Sequence, residues 1–337
     1  MKRNYKKLSK RRKILVTGGA GFIGSHLAEA HLFAGDQVHV FDNLSTGSLA
    51  NVKSLKRYSH FKVTVSDIMD EKQVSHAIRE ADYVYHLAAA VGVKRIMENP
   101  VETILTNVRG TENILLAANQ HQKKVLIAST SEVYGKAMAL KKCGQSLAES
   151  DDWTLGPTTK RRWAYACSKA MDEFLARAFY EEKNLRVILI RLFNTVGARQ
   201  TSRYGMVIPT FVQAALRHEP ILVHGNGAQT RSFTHVEDAV RAMMLLMNCP
   251  GAIGEVFNIG SGETISILKL AKKIKQATQS RSQIIKIPYE KIYPHGFEDM
   301  QARTPNIKKL NQITGYTPKK NLNHIIEDVI SYSLKGD

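Results

Sequence analysis

Tyr165 and Lys169 stand four residues apart in "WAYACSKA", residues 163 to 170. Four residues is slightly more than one helical turn, so on a helix the phenol and the ammonium share a face. A cation beside a phenol favours the phenolate and turns a weak acid into a usable base. An ordinary surface pair would have the same spacing, so the chemistry must be judged with the groups around it. The second group is "TGGAGFIG", Thr17 to Gly24, with Gly18, Gly21 and Gly24 at three-residue intervals. Glycine lacks the Cβ that would keep a pyrophosphate from the backbone, and a helix opening through Phe22, Ile23 and Gly24 offers free N–H groups and a positive dipole end. The third is Asp42, which closes "QVHVFD" 18 residues beyond Gly24. A carboxylate there accepts from both hydroxyls of an adenosine ribose and repels a 2′-phosphate, which selects NAD over NADP. Asp67, at the end of "FKVTVSD", is placed to reach the adenine in the same way.

These groups need a scaffold that brings strand ends together, and the apolar pattern supplies one. "KILVTG", "QVHVFD", "FKVTVSD", "ADYVYHLAAA", "KKVLIAST" and "LRVILIRLFN" read as buried strands. Between them run the amphipathic stretches "GFIGSHLAEAHLFAG", ended by Gly35, "PVETILTNVRGTENILLAANQH", and the Tyr/Lys segment with its continuation. Strands alternating with helices predict an α/β fold with a Rossmann-like, doubly wound parallel sheet covered on both faces. After Asn194 the alternation weakens into a smaller, mixed α/β C-terminal lobe. The expected division is a basic disordered tail over 1–12, an NAD-binding domain over 13–194 and a substrate lobe over 195–337. Residues 255–260, "EVFNIG", are strand-like and are expected to return to the main sheet.

Composition narrows the class. The apolar fraction of 43% is that of an ordinary globular chain. No uncharged apolar run approaches the roughly 18 residues of a membrane span. Cys143, Cys167 and Cys249 are scattered and odd in number, which supports neither a disulfide framework nor a zinc site and fits a reducing, cytoplasmic compartment. Cys167 is expected to pack inside. His224, His235 and His295 have no ligand-like spacing, so no metal is expected and they read as structural. Of the net charge of +18, eight positive residues and no acid lie in "MKRNYKKLSKRRK". Such a tail is solvated, or held by an anionic membrane or nucleic acid through charge alone, and the rest of the chain points instead to small anionic substrates.

Taken with "HLAAA" at 86–90, "STSEVYG" at 129–135, "RLFNTVGARQ" at 191–200, "GNGAQTRSF" at 225–233 and "FNIGSGE" at 257–263, these motifs resemble the extended short-chain dehydrogenase/reductase family of nucleotide-sugar epimerases, dehydratases and decarboxylases. The resemblance runs from Lys13 over nearly all of the chain. It implies that Tyr165 is the catalytic base, that Lys169 depresses its pKa while binding the nicotinamide ribose, and that the Ser129/Thr130 region bonds the sugar hydroxyl. It further implies that Asn194 and Arg231 hold the substrate diphosphate, that Arg303 faces a substrate carboxylate, and that the chain forms a homodimer through helices near 98–120 and 163–182. Glu132 discriminates among reactions. Simple 4-epimerases of the family have a small residue there, whereas decarboxylases and dehydratases have a carboxylate. Dehydratases pair it with a preceding Asp, and here Ser131 stands in that place. The expected substrate is a UDP-sugar, first a UDP-glucuronate to be decarboxylated after oxidation at C4. The alternatives are a UDP-sugar 4-epimerase, an NDP-hexose dehydratase and a noncatalytic NAD-binding sensor. Lys160, Arg161 and Arg162 read either as aids to an anionic substrate or as a solvated basic loop. Asn226 and Ala198 depart from the usual pattern and bear on sugar preference.

Overall fold

A computed structural model describes residues 11–92, 98–141, 145–202, 206–292 and 302–335. The strands β1 (Lys13–Thr17), β2 (Gln37–Asp42), β3 (Phe61–Val65), β4 (Tyr83–His86), β5 (Lys124–Thr130) and β6 (Val187–Leu192) form where the apolar runs predict them. They pair in parallel with one later strand, β11 (Val256–Ile259), in the order β11-β6-β5-β4-β1-β2-β3. Successive side chains alternate across the sheet. Ile14 and Val16 therefore pack on one face and Leu15 on the other, and both faces are apolar.

Each face is covered by helices whose apolar stripes fit it. On one side lie α2 (Glu71–Glu80), α3 (Pro100–Gln120) and α4 (Arg162–Lys183), through Val74, Ile78, Ile114, Ala118 and Ala176. On the other lies α1 (Phe22–Phe33), through Leu27, Ala28 and Leu32. Gly35 ends this helix's run with φ +91, a backbone conformation that glycine adopts without strain.

Beyond Asn194 come the short strands β7 (Thr195–Val196), β8 (Ile221–His224), β9 (Thr230–Ser232), β10 (Thr234–His235), β12 (Thr264–Ser266) and β13 (Ile284–Ile287). With them are the helices α5 (Val207–Leu216), α6 (Val236–Met247), α7 (Ile267–Ala277), α8 (Lys308–Thr314) and α9 (Leu322–Ser333). Helices α5, α7 and α9 close a separate small core around Phe211, Val212, Leu270, Ile274, Ile325 and Val329. Helix α6 instead packs beside α1 on the main sheet through Ala239, Val240, Met243 and Leu246. Together α6 and β11 tie the C-terminal half to the first sheet.

One expectation changes here and another gains a specific form. Cys167 is exposed on α4, because the buried stripe of that helix runs through Trp163, Ala166, Ala170 and Ala176 and leaves position 167 outside it. His235 is structural in a specific way, its Nδ1 accepting from Glu237 N to cap α6 at 3.1 Å. Cys143 and His295 lie outside the described residues. No helix among the described residues is long and apolar enough to cross a membrane.

Candidate active site

In a parallel sheet every strand ends at the same edge, and that edge is where ligands meet the fold. Here the C-terminal ends of β1 to β6 open onto a cleft of about 1390 Å³. Gly18, Gly21, Phe22, Ile23, Gly24, Asp42 and Asp67 line one part of it. Thr130, Ser131, Glu132, Tyr165, Lys169, Asn194, Arg231 and Arg303 line the rest, so the residues named from the sequence as catalytic, cofactor-binding or substrate-binding reach one cavity.

The glycine turn is tight enough to need its glycines. A Cβ on Gly24 would sit 2.2 Å from the Gly18 carbonyl oxygen, and one on Gly18, at φ +67, would sit 2.8 Å from Ala88 N. Asp42 anchors this turn: its carboxylate accepts from Ala20 N at 2.9 Å and Leu44 N at 2.8 Å. Burial raises the Asp42 pKa, and these backbone bonds oppose that rise. Asp67, which also lines the cleft, accepts from Asn43 Nδ2 at 2.8 Å and from Met69 N at 2.9 Å. A cradle from which only a missing Cβ keeps the backbone accessible, with a carboxylate at the end of the second strand, fits a dinucleotide bound through pyrophosphate and ribose.

The reacting end is built from β5, the turn after it and α4. Thr130 caps the 3₁₀ turn Ser131–Tyr134 by accepting from Glu132 N at 3.2 Å, and its hydroxyl also bonds Tyr165. Ser129 lines the same cleft and also has a structural bond. Its hydroxyl donates to Glu173 at 2.5 Å, and Glu173 is held in turn by Arg191, so Ser129 braces β5 against α4.

Glu132 is the most strongly perturbed carboxylate here. Burial pushes its pKa up, but Arg303 and Arg162 outweigh burial, with Arg231 adding its field, and the group is held at about 2. Arg162 Nη2 stands 3.1 Å from Glu132 Oε2, Arg303 Nη1 bonds Oε1, and Arg303 also reaches Ser131 Oγ at 3.4 Å. Both arginines are buried, at 7% and 8% exposure, so Arg162 is not part of a solvated basic loop. Arg303 thus faces a carboxylate, and in this structure it is the protein's own. Asn194, with its backbone at φ +25, donates from Nδ2 to Ser232 O at 2.8 Å. That bond fixes the strand carrying Arg231, whose Nη1 donates to Thr230 O at 2.9 Å.

The Tyr165/Lys169 pair differs from the expected picture. Burial, then the charge of Glu132, raise the Tyr165 pKa well above that of a free phenol, and the Thr130 bond opposes them. Lys169 Nζ instead donates to Asp172 Oδ2 at 2.5 Å. The i, i+4 spacing does place the two groups on one face of α4. It did not reveal Asp172, which lies one turn further on at i+3 from the lysine, a spacing legible in "KAMD" as an ion pair.

Residues 15–329 match the family described as GDP-mannose 4,6 dehydratase. The chain belongs to this family. It shares the extended short-chain dehydrogenase/reductase fold that its motifs resemble. Among relatives of the family, it is 40% identical over 323 residues to a UDP-N-acetyl-alpha-D-glucosaminuronate decarboxylase of Bacillus cytotoxicus, covering 96% of this chain and 98% of that protein. It is 34% identical to UDP-glucuronic acid decarboxylase 1 of Danio rerio, over 96% of this chain and 72% of the relative. A crystal structure of UDP-glucuronic acid 4-epimerase from Bacillus cereus, in complex with UDP-glucuronic acid and NAD, superimposes with a TM-score of 0.86 at 27% identity, over 96% of this chain and all of that one.

Proposed function

We propose that the chain is an NAD-dependent decarboxylase of a UDP-linked uronic acid. The observation that carries this reading is the convergence of Arg162 and Arg303 on the Glu132 carboxylate beside Tyr165. Two buried guanidiniums make a site for a planar carboxylate, and a neutral hexose has nothing to offer it. Gly18, Gly21, Phe22, Ile23, Gly24, Asp42 and Asp67 would hold the dinucleotide, with Tyr165 and Lys169 at its nicotinamide end. NAD, when bound, accepts the C4 hydride of the sugar and later returns it.

The chain's own residues handle protons and charge. Tyr165, bonded to Thr130, takes the C4 hydroxyl proton, and Asn194 and Arg231 hold the diphosphate. The resulting C4 ketone makes the C5 carboxylate that of a β-keto acid. Its C5–C6 bond breaks, carbon dioxide leaves and the electron pair passes into the C4 enolate. A substrate carboxylate seated on Arg162 and Arg303 displaces Glu132 from both. Burial then favours the neutral form of Glu132, which takes up a proton from solvent and delivers it to C5. Ser131, in place of an Asp, leaves no acid for a departing C6 hydroxyl, which disfavours dehydration.

A uronate 4-epimerase is the second reading, favoured by the likeness to the Bacillus cereus enzyme. Incubation with NAD and a panel of UDP-glucuronate, UDP-N-acetylglucosaminuronate, UDP-glucose and UDP-N-acetylglucosamine, followed by NMR, separates the two. Loss of the C6 carbon from a uronate is the expected result. Interconversion with the carbon count unchanged assigns the epimerase, and no affinity for NAD removes both.

The chain also pairs with a second copy through α3 and α4. In support, Val101, Ile104, Leu105 and Leu116 of α3 and Met171 and Phe174 of α4 are exposed, Phe174 at 60% and Val101 at 70%. These two helices lie side by side, and so much apolar surface on adjacent helices marks an interaction face. Sedimentation of the intact chain should give a dimer that Phe174→Glu dissociates; a monomeric wild type refutes the pairing.

A further inference from the structure

Asp172 has no part in the chemistry above, yet it is the most enclosed charged residue near the cleft. It is 0% exposed and its partner Lys169 2% exposed. Among the described residues, the hydrogen bond that Lys169 Nζ makes is the one to Asp172 Oδ2, at 2.5 Å. Burial raises the Asp172 carboxyl, and Lys169 and Thr111 hold it down. A pair this deep has little positional freedom, because separating it leaves one charge stranded in a low-dielectric setting.

Every element around the pair adds to its confinement. From β4, His86 links Thr17 Oγ1 at 2.8 Å and Thr111 Oγ1 at 3.1 Å; burial and the charge of Lys169 lower its pKa to about 3, so it is neutral. From α3 comes Thr111 itself. From α4 come Tyr165 and Glu173, the latter committed to Arg191 on β6 and Ser129 on β5. Glu132, from the turn after β5, acts by its charge on Tyr165 and is committed to its arginines. Asp172 is therefore the carboxylate left to balance Lys169.

We infer that Asp172 is a positioning residue: it fixes where the Lys169 ammonium stands below the cleft, and hence how that charge meets Tyr165 and the nicotinamide ribose of a bound dinucleotide. The inference rests on the NAD-dependent reading above. Without Asp172 the ammonium has no fixed seat and no counter-charge. It then holds the ribose less well, and its full charge falls on Tyr165.

The test compares wild type, Asp172→Asn and Asp172→Glu as intact proteins. NAD affinity is measured by calorimetry without sugar, and the pH dependence of kcat with it. Asp172→Asn should weaken NAD binding by roughly tenfold and move the acid limb of kcat to lower pH by about one unit, since removing a nearby negative charge favours the phenolate. Asp172→Glu, which keeps the charge, should restore both in part, and it serves as the readout if the Asn variant does not fold. A merely structural role predicts a lower melting temperature with NAD affinity and the acid limb unmoved, and that result overturns the inference. A wild type that binds no NAD overturns the functional reading and this inference with it. A wild type that binds and turns over, with variants unshifted, overturns this inference alone.

Discussion

Tyr165→Phe is expected to lower turnover by about 10²- to 10⁴-fold, the range over which a positioned acid–base group acts. NAD affinity should stay close to that of the wild type. The substitution removes one oxygen and leaves the ring, so packing on α4 changes little. The lost bond to Thr130 should reduce stability by about 1 kcal/mol, the typical net worth of such a bond. The large effect falls on chemistry because nothing else nearby can replace the phenol. Glu132 is ionised but locked between guanidiniums, and Lys169 is committed to Asp172. Burial and the negative charge of Glu132 keep the phenol protonated across the neutral range. Acidification must therefore come from charge brought in on binding: the positive nicotinamide ring, and a substrate that draws Glu132 into protonation. Turnover and NAD affinity of wild type and variant, measured on the same substrate, check this. Equal turnover would remove Tyr165 from the role of base.

The sequence makes one part of this site readable and hides another for a physical reason. The glycines at 18, 21 and 24 and the acid at 42 are legible because backbone sterics and a single turn fix them; local spacing is the whole constraint. The parallel sheet is legible for the same reason, since Ile14, Leu15 and Val16 are all apolar only in a strand covered on both faces. The pairing of Glu132 with Arg162 and Arg303 is not legible, because its members come from three places in the chain that only the closed fold brings together. Resemblance gave Arg303 a carboxylate to face but not that Glu132 holds that position first. Lys169 shows the limit of spacing in another way. The i+4 relation to Tyr165 and the i+3 relation to Asp172 are both satisfied by one helix, and only burial decides that the ion pair forms. The exposure of Cys167 follows from the same helix, whose buried stripe is set by the sheet beneath it.

Glu132→Gln should have the second large effect, and on two observables at once. The amide retains the shape but not the charge, so Arg162 and Arg303 lose their shared anion while remaining buried. Removing one partner of a buried ion pair costs ~3–5 kcal/mol, and the opening of this site onto the cleft argues for the low end. Added UDP-glucuronate should recover more stability in the variant than in the wild type, because its carboxylate fills a vacancy there instead of displacing Glu132. Decarboxylation should fall by about 10²-fold or more through loss of the group that protonates C5. The pH dependence has a definite sign. A carboxylate with pKa about 2 in the folded protein and about 4.3 unfolded stabilises the fold fully above the unfolded value. That contribution is lost as pH falls from about 4.3 towards 2. The stability advantage of the wild type over Glu132→Gln should thus be constant above pH 5 and shrink steadily below it. Paired thermal melts between pH 3 and 7 test this. An advantage that does not change with acid would mean that Glu132 is not held by its arginines in solution.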